Sequence, residues 1–279
     1  MSDAARADTP VRVAYFGPPG TFTHMAARAV MGSAAGYLDR STIPAVFEAV
    51  VGEDAEFGVV PFENSTEGGV TFTLDSLLEN DLKIHGEFIL DVAQCLVGLS
   101  DDLARIQRVY SHPQALAQCR HWLARNLPGA EVIAAPSTSA AAREVASDPS
   151  AAAVSSQLAA ELSGLKVIRH GIQDREENAT RFILLAKHDA SPTGFDKTSL
   201  FFSTPHERGA LRKVLEIFDQ EGINLTRIES RPAPKKRWEY VFFVDLEGHR
   251  SDLPVKRALD RLGAHCGMLH VIGSYPKAG

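Results

Sequence analysis

Short apolar runs and polar turns alternate with alanine-rich helical stretches from Val11 to about Lys187, the signature of α/β architecture. VRVAYF leads through GPPG into TFTHMAARAVMG, where Thr21 or Thr23 caps a predicted helix and Gly32 ends it. FGVVPF leads into the polar loop ENSTEGG. RIQRVYSH leads into PQALAQCRHWLARN, read as a single helical stretch with Pro113 at its first position and Ser111 or His112 just outside. EVIAAP leads into STSAAAREVAS, and AAAV into SSQLAAELSG, again with hydroxyl residues at the predicted caps. The segment NATRF (residues 178–182) carries amide, hydroxyl and guanidinium groups where a polar loop enters the apolar run ILLAK, which reads as a buried strand.

The pattern changes after the polar linker HDASPTGFDK (residues 188–197). TSLFFST reads as a strand, GALRKVLEIFDQEG as a helix and INLTRIESRP as a strand. WEYVFFVDLEG follows as a strand, SDLPVKRALDRLGAHC as a helix and LHVIGSYP as a last strand. This order, βαββαβ, is the ferredoxin-like unit. Leu211, Val214, Leu215 and Phe218 share one helix face, as do Val255, Ala258, Leu259 and Leu262, so both helices want a sheet beneath them. No catalytic cluster stands out in this part, which favours a regulatory or interaction module.

The 279 residues allow two domains, and 44% hydrophobic with 23% charged residues is ordinary globular composition. A formal net charge of -6 argues against a nucleic-acid backbone as partner, which favours a basic face. The start MSDAARADTP lacks a secretory pattern and no apolar run approaches the roughly 20 residues that span a bilayer, so a cytoplasmic location away from membranes is expected. Cys95, Cys119 and Cys266 are odd in number and lack metal-ligand spacing, so they read as reduced thiols.

Helix starts present unpaired N–H groups and a positive dipole end, so several turns of this kind around one cleft can hold a small, multiply charged anion without lysine. Neither a Walker phosphate loop nor GxGxxG follows any predicted strand, which disfavours nucleotides. Glu63 and His112 are the ionisable groups that chemistry nominates for proton delivery, yet both also read as structural supports of their turns. His24 reads as a packed histidine, since no partner at metal spacing accompanies it.

Four motifs in order resemble the prephenate dehydratases: GPPGTFTHMAA from Gly17, GVVPFENSTEGG from Gly58, YSHPQALAQC from Tyr110 and TRF from Thr180. GAL from Gly209 and ESRP from Glu229 resemble the two motifs of the accompanying ACT domain. The resemblance implies a two-lobed, periplasmic-binding-protein-like catalytic domain over residues 11–188, with lobes at 11–88 plus 175–188 and at 89–174. An ACT regulatory domain is expected at 198–276. Hinges are expected at residues 86–91 and 172–178, with the site between the lobes. The implied reaction converts prephenate to phenylpyruvate, carbon dioxide and water in phenylalanine biosynthesis, with no cofactor and no metal.

On that resemblance Thr180 assists departure of the ring hydroxyl, as a hydrogen-bond donor in a water-poor cleft. Thr21, Asn64, Ser65, Thr66, Ser111, Gln118, Ser137, Thr138 and Phe182 are expected around the substrate, while Arg181 either attracts it or pairs structurally. Phenylalanine is the implied end-product inhibitor, held by Gly209, Ala210, Leu211, Asn224, Glu229 and Ser230 between two ACT domains of a homodimer or homotetramer. Arg208 stands before GAL where many relatives have proline, a departure that bears on effector affinity. About ten residues precede the first strand, too few for the chorismate mutase domain fused to some relatives. Arogenate dehydratase and a non-catalytic amino-acid sensor are the competing readings; TRF argues against the sensor.

Overall fold

The computed structural model describes residues 10–175, 177–233 and 240–278. The chain forms two compact units, one of residues up to Val70 with Ile89–Phe182, the other of Thr71–Phe88 with Ile183–Gly279.

In chain order the first unit begins with β1 (Arg12–Phe16), α1 (Phe22–Met31), β2 (Gly36–Arg40), α2 (Ile43–Val51), β3 (Phe57–Asn64) and β4 (Gly68–Gly69). Helix α3 (Thr71–Glu79) and most of β5 (Lys83–Asp91) belong to the second unit. The chain then continues through β6 (Cys95–Gly98), β7 (Arg108–Ser111), α4 (Pro113–Gln118), α5 (Arg120–Asn126), β8 (Glu131–Ala134) and α6 (Thr138–Glu144). β9 (Ala151–Ser155), α7 (Gln157–Leu162), β10 (Lys166–Arg169) and β11 (Ala179–Ala186) follow. The first sheet has the order β2-β1-β3-β11-β5 with β4 on β3, and β1 runs parallel to both its neighbours. The second has the order β10-β6-β9-β7-β8, with β7 parallel to β8 and β9.

The second sheet is covered on both faces. Leu96, Val109, Ala152 and Val154 pack with Ala115, Cys119 and Leu123 of the α4–α5 side, while Cys95, Val97 and Ala153 pack with Ala141, Ala142 and Ala159 of the α6–α7 side. Burial on both faces explains why β9 reads AAAVS with no polar alternation: every residue in it is buried.

One expectation fails in detail. The helical stretch after Pro113 breaks at Cys119 (φ -111, ψ 11), giving α4 and α5 instead of one helix. The Asp174 carboxylate accepts hydrogen bonds from the His121 and Trp122 N–H groups, each at 3.0 Å, and Asp174 N–H donates to Gln118 O at 2.7 Å. A distant residue thus caps a new helix start inside the apparent one.

The second unit adds β12 (Asp196–Ser203), α8 (Ala210–Gln220), β13 (Leu225–Pro232), β14 (Tyr240–Glu247), α9 (Leu253–Leu262) and β15 (Met268–Pro276). Its antiparallel sheet has the order β13-β14-β12-β15, the ferredoxin-like arrangement that the βαββαβ pattern predicts. Trp238 and Glu239, expected at the start of β14, lie outside the described residues, as does Glu176 of the second predicted hinge. Leu200, Phe202, Val244 and Leu246 pack under Val214, Phe218, Val255, Ala258 and Leu262 of the two helices. Segment 71–88 adds further contacts: Arg231 donates to Asp75 at 2.8 Å and Thr71 at 3.1 Å, and Lys83 donates to Val271 O at 3.2 Å.

At Gly273 the backbone of β15 comes so close to β5 that an added Cβ would lie 2.3 Å from Ile84 O and 2.7 Å from Ile84 N. Only glycine fits there. Gly273→Ala is expected to destabilise the fold by roughly 1–3 kcal/mol or more, because the obstacle is backbone that cannot rotate away. Equilibrium denaturation checks this, and an unchanged midpoint would contradict the packing.

Candidate active site

Within the first unit, the ends of β1, β3, β7, β8 and β11 and the segment before β6 surround a cavity of about 320 Å³. Thr21, Asn64, Gln118, Ser137, Thr138, Thr180 and Phe182 all line it, so the fold gathers these sequence-predicted residues around one space. An adjoining cavity of about 490 Å³ shares Gln114, Gln118 and Asn178 with it and carries Thr66.

Thr21 is the N-cap of α1, accepting from His24 N–H at 3.3 Å and donating to Phe16 O at 3.2 Å. Gly20 before it has φ 89, and a Cβ there would lie 2.9 Å from Ala159 Cα, so the GPPG turn needs glycine both for its backbone and for its packing. Ser156 Oγ, the N-cap of α7, donates to Gly20 O at 2.6 Å and fixes the turn. His24 is buried, stacked on Tyr15 at 4.5 Å, and its Nδ1 accepts from Gly20 N–H at 3.1 Å. Accepting there leaves the proton on Nε2. Burial, followed by the nearby Arg28 charge, lowers its pKa, while burial and then Asp39 push the Tyr15 phenol up to about 12.

Thr180, 8% exposed on β11, meets Asn64 of β3 across 116 positions of sequence. The Asn64 amide has one orientation. Its Oδ1 accepts from Thr66 N–H at 3.0 Å, so its Nδ2 faces Ala179 O at 3.3 Å, Asn178 Oδ1 at 2.9 Å and Thr180 Oγ1 at 2.9 Å. A backbone N–H cannot accept and a carbonyl cannot donate, so Thr180 Oγ1 is the acceptor and its own proton points elsewhere. The direction propagates: Asn178 Nδ2 donates to Gln118 Oε1 at 3.4 Å, and Gln94 Nε2 donates to the same oxygen at 3.2 Å.

Four sequence-predicted residues stand off the cavity. Ser111 is fully buried, and its hydroxyl donates to Val154 O at 2.6 Å inside the second sheet. Ser65 supports β11 instead, its Oγ accepting from Ala179 N–H at 3.0 Å. Thr66 faces the adjoining cavity. Arg181 alternates away from Thr180 and Phe182, as strand geometry requires, placing its guanidinium 4.8 Å from the Phe62 ring centroid and 3.7 Å from Glu63. His112 caps α4 through Nδ1, which accepts from Gln114 N–H at 3.3 Å, and also lines the cavity. Phe22, Gln94 and Asn178 also line it; Asn178 lay within the NATRF signal, while a lone glutamine before an apolar strand gave none for Gln94.

In the second unit, Gly209, Ala210 and Leu211 line a cavity of about 220 Å³ with Tyr240 and Phe242. Asn224, Glu229 and Ser230 do not line it. Asn224 donates to Glu247 at 3.1 Å, Glu229 pairs with Arg227, and the alternation along β13 puts Glu229 and Ser230 on opposite faces. A larger cavity of about 690 Å³ holds Lys83, Arg250 and His270, with Lys83 paired with Asp81 and Arg250 with Asp189.

A family model described as prephenate dehydratase matches residues 13–190, and one described as ACT domain matches residues 198–264. The chain belongs to the prephenate dehydratase family. A curated relative, the bifunctional chorismate mutase/prephenate dehydratase of Aquifex aeolicus, is 49% identical over 96% of this chain and 74% of its own length. A crystal structure of prephenate dehydratase from Arthrobacter aurescens in complex with L-Phe superposes with a TM-score of 0.88 at 36% identity, covering 96% of this chain and 90% of that one. A structure described as GqqA, a novel type of quorum quenching acylase, matches with a TM-score of 0.87 at 32% identity, covering 96% and 98%. The chain is an enzyme, and the family reaction is loss of carbon dioxide and water from prephenate to give phenylpyruvate. Among the described residues no helix is long and apolar enough to cross a membrane.

The lowered pKa of His24 has a consequence for stability. The unfolded chain takes up a proton as pH falls below the ordinary value of 6.5, while the folded protein resists it, so stability held above that pH is lost below it. Thermal midpoints between pH 7.5 and 5 are expected to fall less in His24→Gln than in the parent, and equal slopes would contradict a neutral buried imidazole.

Proposed function

We propose that the 320 Å³ cavity holds prephenate and that Thr180 is its catalytic residue, donating a hydrogen bond to the departing ring oxygen. The observation that carries this reading is the Asn64 amide, which donates to Thr180 Oγ1 and so leaves the Thr180 proton free for the cavity. Because one fold can host different activities, the assignment rests on this site and not on the fold.

Atoms and charge balance simply. Prephenate, a dianion, loses its ring carboxylate as neutral carbon dioxide; the electron pair left behind makes the ring aromatic and expels the hydroxyl. That oxygen takes one proton from solvent to leave as water, and phenylpyruvate keeps the remaining carboxylate. A fixed donor aimed at the developing negative charge on oxygen lowers the barrier because it needs no reorganisation as that charge develops. Among the described residues, His112 is the one ionisable side chain in the cavity wall. A lysine or arginine against the ring carboxylate would stabilise it relative to neutral carbon dioxide and slow its loss. Neutral donors hold it with less penalty: Thr21 at the start of α1, and Ser137 and Thr138 at the start of α6.

The ACT part supports regulation by phenylalanine, the ligand of the Arthrobacter aurescens relative. Its ring would enter the cavity at Gly209, Ala210 and Leu211, beside Tyr240 and Phe242. Since Asn224 and Glu229 are engaged within the chain, the charged ends of phenylalanine require further partners from a second copy in a homodimer or homotetramer. Phenylalanine inhibits by favouring one arrangement of the protein over another.

Turnover of prephenate, read as phenylpyruvate enolate absorbance after alkali, tests the catalytic reading. Thr180→Val is expected to lose roughly 10²–10³ in kcat, the range for removing one fixed donor to a developing negative charge, and Thr180→Ser to retain more activity than Thr180→Val. A fully active Thr180→Val protein, or faster turnover of arogenate than of prephenate, would overturn it. Adding phenylalanine is expected to inhibit the parent and to inhibit Leu211→Ala less; equal inhibition would remove the effector site from this cavity.

A further inference from the structure

Gln94 ends the amide network that begins at Thr180. It is 3% exposed, lines the cavity, and its backbone is held on both sides: its N–H donates to Gln173 Oε1 at 2.9 Å and its carbonyl accepts from Ile172 N–H at 2.9 Å. Its Nε2 donates to Gln118 Oε1, and among the described residues its own Oε1 has no hydrogen-bond partner. The identity of that orphan atom is fixed from the far end of the network. Thr66 N–H and Ala179 O orient Asn64, Asn64 orients Asn178, and Asn178 orients Gln118 with its oxygen toward Gln94. Gln94 must therefore turn its nitrogen to Gln118 and its oxygen away from it. A buried acceptor left unpaired carries a desolvation penalty that a ligand donor removes.

Resting on the reading of this cavity as the prephenate site, we propose that Gln94 Oε1 binds substrate by accepting a hydrogen bond from the ring hydroxyl. Prephenate offers one donor. Its two carboxylates and its ketone only accept, so the hydroxyl that will leave is the sole group able to satisfy this oxygen. The contact turns the hydroxyl hydrogen toward Gln94 and leaves the oxygen lone pairs for the Thr180 proton, so one residue positions the leaving group and the other assists its departure. The pairing also makes Gln94 a specificity determinant, because a ring without the hydroxyl leaves the oxygen unpaired.

Phenylpyruvate, the product, keeps the ring and side-chain carboxylate and lacks the hydroxyl, so it separates this contact from general damage. Gln94→Met is expected to lower kcat/KM for prephenate roughly tenfold to a hundredfold. Phenylpyruvate affinity, measured calorimetrically, is expected to stay within about twofold of the parent, the scale of a contact not made. Gln94→His, whose neutral ring keeps a donor for Gln118 and an acceptor for the cavity, is expected to recover most of the loss. Gln94→Leu replaces the methionine variant if that protein does not fold, with the same expectation. Unchanged turnover, or parallel losses of turnover and phenylpyruvate affinity, would overturn the contact. Thr180→Val run alongside keeps the two readings apart: full activity there removes the site itself, whereas an inactive Thr180→Val beside a fully active Gln94→Met removes only the role of Gln94.

Discussion

The direction of one side-chain amide governs the chemistry of this site. Asn64 accepts from the Thr66 N–H and is thereby obliged to present its nitrogen to Ala179 O, Asn178 and Thr180. Reversing that amide would place its carbonyl against another carbonyl and its NH2 against a backbone N–H, losing two hydrogen bonds in a part-buried setting where each unmet group costs about 1–3 kcal/mol. Backbone groups that cannot change role thus decide where the Thr180 proton goes. The same constraint runs on through Asn178 and Gln118 to Gln94, so a network of neutral groups acquires a fixed polarity without a single charge.

The fold supplies the meeting. β3 and β11 are neighbours in the first sheet, which brings Asn64 beside Thr180 despite their separation in sequence. The GPPG turn contributes Thr21, held by Ser156 through Gly20 O, and the start of α6 contributes Ser137 and Thr138. A wall of hydroxyls and amides suits a substrate that must shed a carboxylate as a neutral gas. Cationic groups would bind the dianion more tightly in its ground state and so work against the reaction.

Much of this was legible in the sequence because it follows from local rules. Hydroxyl residues before alanine-rich helices signalled caps, with Thr21 or Thr23 open for the first, and Thr21 and Ser137 take those places, each accepting from an N–H three residues on. The βαββαβ order and the apolar stripes of α8 and α9 specified the antiparallel sheet beneath them. Other features had no local signal. The break at Cys119 depends on Asp174, and the inward hydroxyl of Ser111 depends on Val154 of a neighbouring strand. Glu229 and Ser230 are a different case: the alternation of β13 puts these adjacent residues on opposite faces, so one chain alone does not turn both toward the same ligand. Arg181 fell on the far side of Thr180 for the same reason.

Turnover depends on Asn64 directing the Thr180 proton, and Asn64→Asp probes that dependence. The substitution is nearly isosteric and exchanges the donor facing Thr180 Oγ1 for an acceptor, so the Thr180 hydroxyl turns back to the carboxylate. A folded Asn64→Asp protein is predicted to turn over prephenate as poorly as one lacking the Thr180 hydroxyl, with partial recovery as the pH falls far enough to protonate the new carboxyl. Turnover at the parent rate across the pH range would contradict the account.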